Sequence, residues 1–135
     1  MGAGLVAPGL LGISEVLMHE LSLATALVEQ VQQICAAEKA EAVVAIRLRL
    51  GALSGVDRES FEFTFPLAAE GTSAAAAKLI FEPVAAEIAC EGCGKTSKPG
   101  RMFLTCGLCG SNRVKIIAGR EFQIISVELQ EKAEG

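Results

Sequence analysis

The chain has 135 residues, 51% of them hydrophobic, which is enough for one real core and too apolar for a disordered segment. A formal net charge of -4 argues against nonspecific binding to polyphosphate or to an anionic membrane. With six Phe, no Trp and no Tyr, the core must be mainly Ala, Val, Leu and Ile, and few rings are available to stack on nucleic-acid bases.

Residues 1–17, "MGAGLVAPGLLGISEVL", resemble an export signal only superficially. They hold no Lys or Arg for a positive start, and Pro8, Gly9 and Gly12 interrupt the apolar run. A flexible extension is expected there, and nowhere does the chain reach the roughly 18 apolar residues of a membrane span. The expected compartment is the cytoplasm, where thiols stay reduced.

From Glu20 to about Lys39, Leu23, Leu27, Val31 and Ile34 recur at helical spacing, with Ala24, Val28 and Cys35 widening the stripe. Cys35 falls on the apolar side and reads as a small core residue. In "VVAIRLRLGALSG", Val44, Ile46, Leu48 and Leu50 alternate with Ala45, Arg47 and Arg49, the pattern of a strand with one buried face. Asp57 can cap a second helix running to about Ala69, with Glu59 in its first turn and Pro66 as a kink or stop. After the connector "GTSAAAA", "KLIFEPVAAEIA" reads as one strand, interrupted or edged at Pro83. The last strand is "REFQIISVELQ", where the apolar phase slips between Ile124 and Ile125.

The fold class is therefore α+β: a small mixed three-stranded sheet with two helices and an inserted four-cysteine, zinc-ribbon-like module. The first two strands should be parallel across a right-handed helical crossover, with the third returning antiparallel. The expected division is an extension over 1–17, an α/β domain over 18–88 and 114–131, and the module over 89–113.

In "CEGCGKTSKPGRMFLTCGLCG", Cys90-x-x-Cys93 is followed after twelve residues by Cys106-x-x-Cys109. Each pair can turn two thiolates inward on a tight loop, and two facing loops complete a tetrahedron around one Zn(II). Gly94 and Gly110 follow each second cysteine and permit the positive φ such turns require. The segment between has too little apolar content to fold alone, whereas a structural zinc contributes on the order of 10–16 kcal/mol in small zinc peptides. Four thiolates leave no open position for a substrate, which excludes catalytic zinc. Disulfide or redox chemistry and an iron–sulfur centre are the alternatives. Lys95, Lys98, Arg101, Arg113, Lys115 and Arg120 face only Glu91 in sequence, which suits a nucleic-acid reader or, more simply, balances the charge of a metal-tetrathiolate.

His19 is the chain's single histidine, and such a residue beside a helix is ordinarily a surface or capping group. Its neighbours suggest more. If Met18 were the first residue, its α-amine, the His19 imidazole and intervening backbone amides would form one chelate, and nitrogen ligands in a plane suit Ni(II) or Cu(II).

"MHELSLATALVEQV", "RLRLGALSGVDRESFEFTF", "EGT", the paired Cys-x-x-Cys motifs and "GREFQIISVEL" together resemble the HypA/HybF family of hydrogenase maturation nickel chaperones, over residues 18 to about 130. The resemblance implies a non-enzymatic metallochaperone that binds Ni(II) through His19, the nitrogen of Met18 and adjacent backbone nitrogens, with the Glu20 carboxylate beside the site. It implies a structural zinc on Cys90, Cys93, Cys106 and Cys109. The implied partners are a maturation GTPase, the [NiFe]-hydrogenase large subunit and, in some organisms, urease maturation proteins; nucleic acid and membranes are not expected partners.

The chain departs from this pattern at one point. With residues 1–17 attached, the Met18 nitrogen is a peptide amide and not an amine anchor, so the start is assigned early, the extension is removed, or it is an added segment. No other imidazole can complete the sphere, which implies moderate affinity, quick exchange, and weaker nickel binding on acidification. No Ser-His-Asp order or phosphate-binding Gly-rich loop is present, so nucleotide hydrolysis would have to come from a partner.

Overall fold

The computed structural model describes residues 8–100 and 104–133, with side chains from His19 onward. Its elements are α1 (Pro8–Ala37), β1 (Ala40–Gly51), α2 (Arg58–Ala69), β2 (Lys78–Val84), β3 (Glu87–Cys90), β4 (Thr96–Ser97), β5 (Val114–Ala118) and β6 (Phe122–Glu131). One sheet has the order β2-β1-β6. Ala52 N–H donates to the Val84 carbonyl at 2.9 Å, so the ends of β1 and β2 meet and these strands run parallel, with α2 as their crossover. Gly51 N–H donates to the Glu121 carbonyl at 2.7 Å, so the end of β1 meets the start of β6, which is antiparallel. This is the expected mixed three-stranded sheet with two helices. Among the described residues, no helix is long and apolar enough to cross a membrane.

Helix α1 starts at Pro8, twelve residues ahead of the expected Glu20. Proline at a first helical position has its φ preset and loses no intrahelical bond, and Leu10, Leu11 and Leu17 are good helix formers. Residues 8–17, expected as part of a flexible extension, therefore have helical backbone; residues 1–7 lie outside the described residues. Ala24, Leu27, Val28, Val31 and Cys35 are buried, while Leu23 is half-buried and Ile34 exposed. The core stripe is thus turned toward the Ala24–Val28–Cys35 line, and Glu20, one turn before Ala24, lies on it.

The chain divides into two compact units. The first holds the residues through Ile46, then Asp57–Leu79 and the residues from Ser126 on. Here α1 packs on α2, whose Phe61 and Phe65 are buried with ring centroids 6.3 Å apart. Asp57 is the cap expected from sequence: its Oδ2 accepts from Ser60 N–H at 3.3 Å. Pro66 lies inside α2 without ending it.

The second unit holds Arg47–Val56 and Ile80–Ile125. Gly51 lies so close to the Gly119 carbonyl that a Cβ would come within 2.0 Å of its oxygen, so any side chain there would push the strands apart. A second small sheet, order β4-β3-β5, frames the cysteine segment.

Two strand readings need correction. "KLIFEPVAAEIA" is not one strand: it breaks at Ala85–Ala86 into β2 and β3, which belong to different sheets. Pro83 does not break it, because β2 is an edge of its sheet and a missing N–H is tolerated there. In β1 the alternation fails between Ala45 and Ile46, both buried, so Val43 is inside and Val44 is exposed. In β6 the phase slips one residue later than expected, between Ile125 and Ser126, both exposed between half-buried Ile124 and Val127.

Candidate metal centres

Cys90 ends β3 and Cys93 lies on the loop beyond it; Cys106 lies in an isolated antiparallel bridge with Pro99, and Cys109 on the loop beyond that. The two loops are built alike. Gly92 and Cys93 N–H groups point at Cys90 Sγ at 3.2 and 3.4 Å, and those of Leu108 and Cys109 point at Cys106 Sγ at 3.3 and 3.4 Å. Gly94 N–H donates to the Cys90 carbonyl and Gly110 N–H to the Cys106 carbonyl, each at 2.9 Å, and both glycines have positive φ, 73° and 79°. Cys90 N–H returns to the Lys95 carbonyl and Cys106 N–H to the Ser111 carbonyl, at 2.9 and 2.8 Å. β3 then pairs with both β4 and β5, bringing the ends of the module together around buried Ile88.

The result is one cluster whose four sulfurs all lie within 4.8 Å of one another. Cys90 and Cys109 Sγ are 3.7 Å apart, and Cys93 and Cys106 Sγ 3.8 Å. A tetrahedron of sulfurs around zinc at about 2.3 Å has edges of about 3.8 Å, so this spacing fits a tetrathiolate ion. Five cysteines are free thiols among the described residues, and no disulfide competes for the four.

The electrostatics favour a cation. Cys106 is lowered to about 6, first by the Cys109 N–H and then by the Leu108 N–H. Cys90 is lowered as well, chiefly by the Cys93 N–H. Cys109 is pushed up to about 11: the Ser111 N–H favours its thiolate, but Cys90, burial, Cys106 and Cys93 outweigh that. Four anions cannot share this volume unaided, and a divalent ion removes the conflict.

The other expected site is at Met18-His19-Glu20. His19 is exposed on α1, and no side chain is described for Met18. Glu20 is 1% exposed. Its Oε2 accepts from the Asp57 N–H at 2.6 Å, tying α1 to the cap of α2, and its Oε1 has no hydrogen-bond partner among the described residues. The sequence carries a signal for the burial of Glu20, which continues the apolar line of Ala24, Leu27, Val31 and Cys35, but none for its partner Asp57. A buried carboxylate on a core stripe needs a donor from the element packed against it.

Cys35 takes no part in either centre; it is buried, with its thiol 3.5 Å from the Ala40 carbonyl. A cavity of about 740 Å³ beside it, lined by Gln32, Lys39, Thr72 and Lys132 among others, is far along α1 from His19 and holds no chelating group of three.

The chain is similar to several known proteins. A hydrogenase maturation factor HypA of Synechococcus elongatus is 43% identical over 112 residues, covering 83% of this chain and 99% of the relative. That of Nitrosospira multiformis is 38% identical over 112 residues, covering 83% and 97%. In fold, the chain is similar to the solution structure of the Ni metallochaperone HypA from Helicobacter pylori, with a TM-score of 0.61, 23% identity, and coverage of 84% and 98%. A further solution structure of a HypA protein gives 0.64 at 24% identity, covering 85% and 98%. The family profile for HypA, hydrogenase/urease nickel incorporation metallochaperones, matches from Met18, the residue before the single histidine, to Leu129, and the chain belongs to that family.

Proposed function

We propose that this protein is a cytoplasmic nickel metallochaperone that binds one Ni(II) at Met18-His19-Glu20. It hands the ion, with a GTPase partner, to the large subunit of [NiFe]-hydrogenase, and in some settings to urease maturation proteins. It catalyses no reaction of its own. Family membership supports the nickel role; the observation that carries the site is an exposed imidazole immediately before a buried carboxylate at the start of the matched region.

The helix explains why the start of the chain matters. In the chain as written, the amides of residues 18–20 lie inside α1, where each donates to a carbonyl one turn earlier. Such nitrogens cannot give up their protons to a metal without unwinding that turn. With Met18 first, the same amides become leading N–H groups of the helix, which have no carbonyl behind them. The α-amine, amide nitrogen and His19 imidazole then form a planar chelate suited to nickel. Glu20 adds a carboxylate beside it, held by the Asp57 N–H and retaining one oxygen without a partner among the described residues.

The four cysteines would hold a structural zinc. The chemistry the ion supplies is charge neutralisation and closure of the two loops, with Cys90, Cys93, Cys106 and Cys109 as its ligands. Tetrahedral sulfur donors also suit iron–sulfur chemistry, which metal analysis and the visible spectrum separate from zinc.

The test is a calorimetric Ni(II) titration of zinc-loaded protein as written and starting at Met18, each with and without His19→Ala. The Met18 form should bind one nickel at least about tenfold more tightly, and His19→Ala should abolish that site. Equal nickel affinity in all four proteins would remove the chelate.

A further inference from the structure

Helix α2 has two apolar sides. Its inner side is Phe61, Thr64, Phe65 and Ala69, all buried. Its outer side is Glu59, Phe63 and Leu67, spaced four and four, opposite the core, and Glu70, the C-cap residue, follows directly after the last turn. Phe63 is 68% exposed and Leu67 60%. Packing of the fold does not account for two large apolar side chains one helical turn apart on the solvent face, since the core contacts are already made by the other side.

The surroundings of the pair specify what can cover it. Glu59 precedes it and Glu70 follows, neither with an ion pair among the described residues, and Glu62 beside them pairs with Arg58 at 3.8 Å. The helical rise from Glu59 to the cap at Glu70 places these two positions about 16 Å apart along the axis. A second copy of this chain is a poor occupant: antiparallel pairing of two α2 helices sets Glu59 against Glu70 twice, and parallel pairing sets each glutamate against itself. Residues 1–7 carry no charged side chain and answer neither carboxylate. The acidic rim also repels polyphosphate.

We propose that the outer face of α2 docks a basic amphipathic helix of a partner protein, one that presents apolar residues one turn apart between Lys or Arg side chains about eleven residues apart. The apolar contact supplies affinity, and the two glutamates fix register and reject acidic partners.

The test uses the full chain and two synthetic helical peptides, identical except that the flanking positions are Lys in one and Glu in the other, read by fluorescence anisotropy. The Lys peptide should bind at least about tenfold more tightly than the Glu peptide, and added salt should narrow the gap. Glu59→Lys with Glu70→Lys should reverse the preference, and Phe63→Gln with Leu67→Gln should weaken binding of both peptides by about tenfold or more. All four side chains are solvent-facing, and circular dichroism checks that each variant keeps the fold. Equal binding of the two peptides, no binding, or a preference unmoved by the charge exchange overturns the proposal. So does a dimer of the unmodified chain that Phe63→Gln with Leu67→Gln dissolves, since the occupant would then be a second copy.

Discussion

The cysteine module and the head of α1 are both candidate metal centres, and they are built on opposite plans. The module closes on itself: two loops of the same geometry, each with backbone N–H groups on a cysteine sulfur and a glycine at positive φ, converge on four donors. The head is open, with one exposed imidazole, one buried carboxylate and backbone nitrogens whose availability depends on where the helix begins. A site made from local loops is complete wherever the chain starts, a plan suited to holding an ion tightly. One made from a helix terminus can be switched off by a few preceding residues, and it can release what it holds.

The largest expected effect is on the closed side. Cys106→Ser removes a ligand whose sulfur accepts two backbone N–H groups and lies 3.8 Å from Cys93 Sγ. The protein should lose its tightly held ion entirely, and the backbone amides from β3 to β5 should lose hydrogen-exchange protection, while α1 and α2 keep theirs. Metal analysis with site-resolved exchange measures both. Loss of protection throughout α1 and α2 would mean that the module and the helices fold as one unit.

How much of each region was legible follows from the same contrast. The cysteine spacing and the glycines that follow it are local in sequence, so the clustering of the four cysteines and the turn geometry could be read directly. The second sheet was missed because β4 has only two residues and β3 is continuous in sequence with β2, so no periodicity separates them. The two helices were visible from their apolar spacing, but the start of α1 was not, since Gly9 and Gly12 look like breakers and helical context overrode them. Glu20 was legible as a residue of interest; its partner was not, because a hydrogen bond spanning 37 positions to a backbone N–H leaves no pattern in composition or spacing.

A pH titration sharpens the closed side further. In the metal-free module Cys106 is lowered to about 6 and Cys109 raised to about 11, so near neutral pH an entering ion displaces the Cys109 proton but meets Cys106 already as thiolate. Below about 6 Cys106 holds a proton too, and one more proton competes with the metal. Affinity should therefore fall as pH falls, and the slope should steepen below about 6 by about tenfold in affinity per pH unit. Competition with a chromophoric chelator across this range measures the slope; a slope that does not change near 6 would mean that the Cys109 and Leu108 N–H groups do not hold the thiolate. For the metal-free fold the sign is the same. A Cys106 value depressed from 9.0 to about 6 stabilises the folded module at high pH, and that contribution is lost as pH falls through about 6.

The smallest effects distinguish support from ligation at the open head. Glu20→Ala leaves the Asp57 N–H without its 2.6 Å acceptor and should cost about 1–3 kcal/mol, seen as a lower Tm of the metal-free chain. Asp57→Ala keeps that N–H but loses the cap to Ser60, and should cost about 1 kcal/mol. Glu20→Gln is the informative variant, because an amide oxygen can still accept from Asp57 while the negative charge is gone. If Glu20 only fastens α1 to α2, Gln should recover most of the stability lost in Ala and leave nickel affinity of the Met18 form unchanged. If a carboxylate oxygen contacts the ion, stability should recover while nickel affinity does not, and that separation of Tm from affinity would make Oε1, unpartnered among the described residues, the atom that meets the metal.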